Sequence, residues 1–252
     1  MRKFALVLLC AGAWLVAGCT TTTTSTSNAP DVSEAEAARF NVQLGISYLQ
    51  RGNLQDAREK LERAVQQDPE FPSAHAALGL LYERVGELDK AGFHLRRATQ
   101  LAPDDAAMLN GYGGFLCRRG DRKAGIEYFD RAARNAFYRT PELALTNAGV
   151  CARGIPDAAM AERYFRRALE VNRTYPEALL QMADLKLAAG DAFNARAFMQ
   201  RYEAVATATP VSLELGRRIE LLAGDRDAAA QYEQRLRQEF PDAAESRRLD
   251  DE

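Results

Sequence analysis

Residues 44–69 read LGISYLQRGNLQDAREKLERAVQQDP and residues 78–103 read LGLLYERVGELDKAGFHLRRATQLAP, the second repeating the first at a fixed offset of 34. Leu44, Gly45, Tyr48, Gly52, Ala57, Leu61, Ala64 and Pro69 recur as Leu78, Gly79, Tyr82, Gly86, Ala91, Leu95, Ala98 and Pro103. Leu44 and Tyr48 are four apart and share one face of a first helix. Ala57, Leu61 and Ala64, spaced four and three, form the facing stripe of a second helix. Gly52 and Gly86, each followed by a polar residue and a leucine, end the first helix in a short turn, and Pro69 and Pro103 stop the second. Gly45 and Gly79 leave room for a neighbouring helix. One such unit buries only part of its apolar face, so units have to stack, and the pattern predicts a helical solenoid.

A period of 34 with this residue order resembles the tetratricopeptide repeat, a helix–turn–helix unit. The resemblance implies an all-α, right-handed superhelical solenoid of about six units. The repeat continues with falling fidelity. The third unit keeps Tyr112, Gly113, Leu116, Gly120, Phe129 and Ala132, but has Gly125 where the others have alanine, and its break comes late, at Thr140-Pro141. The fourth keeps Ala148, Gly149, Ala161, Phe165 and Ala168 around a lengthened turn at 153–157. The fifth has Leu179, Met182, Ala183, Gly190, Ala195 and Met199. A sixth shows in outline as Leu213, Gly224, Ala229 and Leu236, ending at Phe240-Pro241, with Arg217, Arg218 and Glu220 suiting a solvated unit that caps the stack. The solenoid is expected over 33–252, opened by a capping box from Ser33 to Glu36, with repeats near 38–71, 72–105, 106–139, 142–175, 176–209 and 210–243.

Composition gives no basic field for nucleic acid: 27% of the 252 residues are charged and the formal net charge is −2. The amino terminus differs from the rest. Arg2 and Lys3 precede an apolar run from Phe4 to Val16, too short to span a bilayer, so residues 1–18 read as a secretory signal. Its end, Leu15-Val16-Ala17-Gly18-Cys19, resembles the bacterial lipobox. That resemblance implies cleavage before Cys19 and acylation of its sulfur and amino group, chains that would anchor a soluble domain stably. The other reading is an ordinary signal peptide with a chance cysteine. Thr20 stands where an aspartate would resemble an inner-membrane retention signal, which implies the periplasmic face of the outer membrane. Residues 19–32, rich in Thr and Ser, have nothing to bury and are expected to form a disordered tether.

Two cysteines remain once Cys10 and Cys19 are assigned to the amino terminus. Cys117 and Cys151 are 34 apart, each late in the first helix of adjacent units. A bridge is geometrically available if both sulfurs face the same seam, and the periplasm is oxidising; the alternative is two separate buried thiols. His75 and His94, the two histidines, lie 19 apart with no cysteine or carboxylate at metal spacing, so they are expected to be structural or solvent-facing rather than ligands. There is no Gly-rich phosphate loop, nucleophile elbow or HExxH, and hence no expected catalytic residue, cofactor or small-molecule substrate. The doublets Arg96-Arg97, Arg118-Arg119 and Arg166-Arg167 read as solvated, ion-paired faces.

Such an array offers a concave surface lined by first helices. Tetratricopeptide proteins bind partners on the first-helix stripe opposite the intra-unit contact. Carried onto the first two units, that stripe is Arg39, Val42, Ile46, Leu49 and Gln50, then Ser73, Ala76, Leu80, Glu83 and Arg84. Val42, Ile46, Leu49 and Leu80 make it apolar, which suits a helix or hydrophobic segment of a partner better than the Lys/Asn clamp that holds peptide carboxylates. The other reading is that these side chains pack against the helix that starts at Ser33.

The whole chain resembles the type IV pilus biogenesis and stability lipoproteins of the PilF/PilW family. The resemblance rests on the lipobox at Cys19, the Thr/Ser tether, six units, the cysteine pair, the phrase from Leu44 to Leu61 and the run Asn110-Gly-Tyr-Gly-Gly-Phe-Leu-Cys117. It implies a pilotin, an outer-membrane lipoprotein that binds secretin subunits and promotes their localisation and multimerisation. Two alternatives are a general periplasmic scaffold and an outer-membrane protein insertion subunit similar to BamD, which stacks five such units.

Overall fold

The fold begins with a cap. Ser33 Oγ accepts the Glu36 N–H while the Glu36 carboxylate accepts the Ser33 N–H, which satisfies donors that a helix start leaves unpaired. The computed structural model describes residues 33–250; the leader, Cys19 and the segment expected to be a tether lie outside the described residues. From Ser33 the chain runs as six helix pairs: α1 (Glu34–Gln50) with α2 (Leu54–Gln67), α3 (Pro72–Arg84) with α4 (Leu88–Leu101), α5 (Ala106–Arg118) with α6 (Arg122–Arg134), α7 (Pro141–Ala152) with α8 (Ala158–Val171), α9 (Pro176–Ala188) with α10 (Ala192–Glu203), and α11 (Pro210–Ala223) with α12 (Arg226–Glu239). A short α13 (Ala244–Asp250) follows. No strand occurs among the described residues.

The turns inside the pairs obey one rule. Gly52, Gly86, Gly120, Gly190 and Gly224 each end a first helix with φ between 74° and 90°, the left-handed region that glycine enters without steric penalty. The fourth pair departs from it: residues 153–157 form a longer turn that reverses the chain without a left-handed glycine.

Packing inside each pair also follows a rule, linking two positions 16 apart. A Cβ added to Gly79 on α3 would sit 2.6 Å from Leu95 Cγ on α4. Gly45 meets Leu61, Gly113 meets Phe129, Gly149 meets Phe165 and Gly216 meets Tyr232 in the same way. The missing side chain on the first helix is therefore the socket for a large one on the second. In the fifth pair Ala183 replaces the glycine and its counterpart 16 residues on is Met199, an unbranched side chain that can bend round a methyl group. The third pair is the tightest. A Cβ on Gly125 would lie 2.8 Å from the Gly113 carbonyl oxygen, and one on Gly113 would lie 2.9 Å from that of Gly125. This close approach of α5 to α6 explains why the third unit has glycine where its neighbours have alanine.

First helices also touch one another along the stack, α1 on α3, α3 on α5, α5 on α7, α7 on α9 and α9 on α11. Second helices touch the first helices of their own and the next pair, and α12 also touches α13. A layered stack closed on one side and splayed on the other has to curve, with the first helices on the inner face. Cross-unit ion pairs such as Arg118–Glu83, Arg153–Asp184, Arg167–Asp130 and Lys186–Glu162 lace neighbouring layers.

The ends of the array depart from the interior. Leu44 is exposed whereas its counterpart Leu78 is buried, because α1 has no preceding layer among the described residues. At the other end the sixth pair is not the last element. Leu249 of α13 joins Leu213 and Leu236 in a small buried cluster, and the Ser246 hydroxyl donates to the Phe240 carbonyl at 2.6 Å.

Candidate partner-binding groove

Each first helix turns the same register position toward the inner face. Along the stack that position holds Ile46 on α1, Leu80 on α3, Gly114 on α5, Val150 on α7 and Asp184 on α9. Ile46, Leu80 and Val150 are 38%, 44% and 45% exposed, so the first four layers carry an apolar row facing solvent. Three large apolar side chains aligned on one concave face form a patch that water solvates poorly, unlike a scattered surface leucine.

The row is interrupted at Gly114, and the interruption is a pocket of about 480 Å³ between Leu80 and Val150. Asn110, Gly111 and Gly114 of α5 and Asn147 of α7 line its walls, and the Cys117–Cys151 pair lies at its base. A Cβ added to Gly111 would meet no atom within 4 Å, so the hollow exists because that side chain is missing. Asn147 Nδ2 donates to Asn110 Oδ1 at 3.0 Å, which leaves hydrogen-bonding capacity on both amides. Arg118 stands at the mouth, donating through Nε and Nη2 to the two Glu83 carboxylate oxygens at 2.6 and 2.8 Å, and Arg122 lies beside it. An apolar floor with a few amides and cations at the rim suits a side chain presented by another protein.

The residues singled out from sequence separate on this surface. Ile46 and Leu80 are on the exposed row, Ala76 is half-buried, and Leu49 is half-buried against the core of the first two pairs. Arg84 is exposed and its Nη1 donates to the Leu49 carbonyl at 2.7 Å, tying α3 to α1. Arg39 and Gln50 are exposed, and Ser73 and Glu83 are half-buried. Val42 is a correction. At 5% exposure it belongs to the buried cluster with Leu61 and Leu81, because α3 lies against α1 and closes over it. The helix from Ser33 does not fill the groove either: it is α1, the groove's first wall. The sequence reading did not select Asn110, Gly111, Gly114 or Val150. A signal was available. Glycine inside a helix costs roughly 0.5–1 kcal/mol relative to alanine, and α5 carries Gly111 and Gly114 beyond the Gly113 that packing requires.

Cys117 of α5 and Cys151 of α7 are bonded, with their Cα atoms 5.8 Å apart. The bond joins the inner faces of the third and fourth layers directly beneath the pocket.

The histidines form a pair that spacing alone did not reveal. His75 Nδ1 and His94 Nδ1 are 2.9 Å apart, and His75 Nε2 is 3.0 Å from the Pro69 carbonyl. A carbonyl can only accept, so His75 Nε2 carries the hydrogen; neutral His75 then accepts through Nδ1 from the His94 Nδ1–H. Burial, with a smaller contribution from His75, pushes the His94 imidazole down from 6.5 to about 4. The pair bridges α3 and α4 away from the groove. Among the described residues no group of three or more His, Cys, Asp or Glu is placed to hold a metal ion.

A family profile for the tetratricopeptide repeat matches residues 42–106. The type IV pilus assembly protein PilF of Pseudomonas aeruginosa is 31% identical over 245 residues, which is 97% of this chain and 96% of that protein. A solved structure of P. aeruginosa PilF superposes with a TM-score of 0.72 at 30% identity, covering 86% of this chain and 98% of its own. The crystal structure of PilW, a widely conserved type IV pilus biogenesis factor, gives a TM-score of 0.76 at 29% identity over 85% of this chain and 98% of that one.

Proposed function

The chain belongs to the PilF/PilW family of tetratricopeptide proteins of type IV pilus biogenesis, and on that premise we propose that it acts as a pilotin for the secretin of the pilus system. It would be carried to the outer membrane by acyl chains on Cys19, hold an apolar secretin segment in its inner groove, and release that segment as the subunits multimerise. The observation that carries this reading is the exposed row Ile46–Leu80–Val150 with its pocket at Gly111 and Gly114. A surface of this kind stabilises a complex by removing apolar area from water, and it needs no chemistry beyond binding.

Gly111→Leu tests the groove. The new side chain enters open space and replaces a helix glycine, so thermal stability should be unchanged or raised. In cells the variant should lose heat-resistant secretin multimers while secretin monomers persist, whereas Gly111→Ala should retain them. Normal multimers in a folded Gly111→Leu strain would show that the partner does not bind in this pocket. Normal multimers and normal pili in a deletion strain would sink the pilotin reading altogether. For the anchor, Cys19→Ser should abolish acyl-lipid labelling and release the protein from outer-membrane fractions; continued labelling would count against the lipobox.

A further inference from the structure

One edge of the solenoid carries an exposed aromatic side chain on an anchored turn beside arginines that have no ion pair among the described residues. First helices begin, and second helices end, at the same edge. In the third to fifth layers its turns are residues 135–140, 172–175 and 204–209, none of which contains an acidic residue. Of the carboxylates that open the helices after these turns, Glu142 is buried beside Asn172, and Glu177 accepts from Gln181. The turns of the same layers at the opposite edge end in Asp121, Asp157 and Asp191, which cap the helices that follow, and Arg119, Arg153 and Phe193 are exposed there. Apolar side chains project from the edge with acid-free turns: Phe137 at 93% exposure, with Val171 and Val205 also exposed. Arg134, Arg139 and Arg173 are exposed between them, and Arg134 and Arg139 have no ion pair among the described residues.

Phe137 is held out rather than left loose. Asn135 Nδ2 donates to the Asp104 carbonyl at 2.5 Å, and Asn135 Oδ1 accepts the Phe137 N–H at 2.8 Å. On the other side Tyr138 packs against the buried cluster of Leu109, Ala132 and Ala144. The turn is anchored on both sides of Phe137.

We propose that this edge rests on an anionic phospholipid surface, with Phe137 entering the acyl boundary and the flanking arginines meeting phosphate groups. The proposal rests on the lipid-anchor reading of Cys19. An aromatic tip among unpaired cations is the chemistry of an interfacial membrane contact, and Arg134, Arg139 and Arg173 outnumber the exposed Asp104 and Asp105 of the preceding turn. Chain connectivity agrees. Ser33, where the described fold begins, is the start of a first helix and lies at the same edge as Phe137. The 13 residues from 20 to 32 reach at most about 45 Å. The third to fifth layers are two to four layers away, roughly 20–40 Å at 8–10 Å per layer, so a tethered chain can lay this edge on its own membrane.

The sole tryptophan, Trp14, lies in the leader, so Phe137→Trp gives the mature lipoprotein one fluorophore at the tip, and Phe193→Trp gives one at the opposite edge. Each is purified in lipidated form and reconstituted into phosphatidylethanolamine–phosphatidylglycerol vesicles with brominated acyl chains. The fluorophore of Phe137→Trp should be quenched, as expected for a side chain at the acyl boundary, with that of Phe193→Trp unquenched. Co-flotation with vesicles but no quenching at 137 overturns the edge contact alone, as does equal quenching at both positions. A blue shift at 137 without quenching means that a protein surface covers the tip, which also overturns it. Failure to co-float overturns the anchor and the edge contact with it. None of these readouts involves the secretin, so they stand apart from the groove variants.

Discussion

His94 shows how a side chain can be placed by structure in a way its spacing conceals. Nineteen residues separate it from His75, a distance with no helical meaning, and only the antiparallel return of α4 on α3 brings the rings together. The consequence is a pH dependence with a definite sign. Folded His94 titrates near 4 and the unfolded residue near 6.5, so between these values the unfolded chain holds the extra proton. Stability from this site is complete above about pH 6.5, declines as pH falls through the window, and levels off below 4. His75, Glu62 and Lys90 contribute to the field at the imidazole, the carboxylate alone favouring the charged form. Urea denaturation at pH 7 and pH 4.5 should show a loss on the order of 1–2 kcal/mol that His94→Gln lacks, and equal slopes in the two proteins would remove His94 from the account. The repeated glycines and leucines were legible because period and residue type coincide at the same positions, but their pairing 16 residues apart came only from the structure. The pocket glycines were not, since Gly111 and Gly114 look in sequence like further packing positions of the Gly-Tyr-Gly-Gly run.

At the scale of elements, the α5–α7 junction differs from the others in being covalent. A loop of 34 residues closed by Cys117 and Cys151 should stabilise the fold by about 3–4 kcal/mol in the chain-entropy description. Replacing both cysteines by serine should lower the urea midpoint accordingly, and an unchanged midpoint would mean that packing alone holds this seam. Most pairs were readable from a turn glycine and an alanine stripe, while the third has Gly125 in its stripe and the fourth a longer turn without a left-handed glycine. What escaped were the elements that close the array. α13 is seven residues long and contributes one leucine to the core, too little to form a periodic signal. Val42 escaped for a related reason: the family stripe marks it as groove-facing, yet α3 approaches α1 closely enough to bury it.

For the molecule as a whole, stability in a stack of this kind is a sum of layers and their junctions, and it is not shared evenly. Among the described residues the first layer has a neighbour on one side and an exposed Leu44, whereas the third and fourth have neighbours on both sides and a covalent bond. Hydrogen exchange should therefore be fastest in α1 and α2 and slowest in α5 to α8. Uniform protection along the chain would mean that the array opens only as one unit. The bond between α5 and α7 also has a mechanical meaning. Under the proposed membrane anchor and partner-bound groove the protein would be pulled, and a stack that yields under tension lengthens. The chain from Cys117 to Cys151, a separation of 34 residues and about 110 Å of contour, cannot pay out while the bond is intact. The base of the pocket lies on that inextensible span, so the junction of the third and fourth layers would keep its spacing under tension while the layers at each end give way.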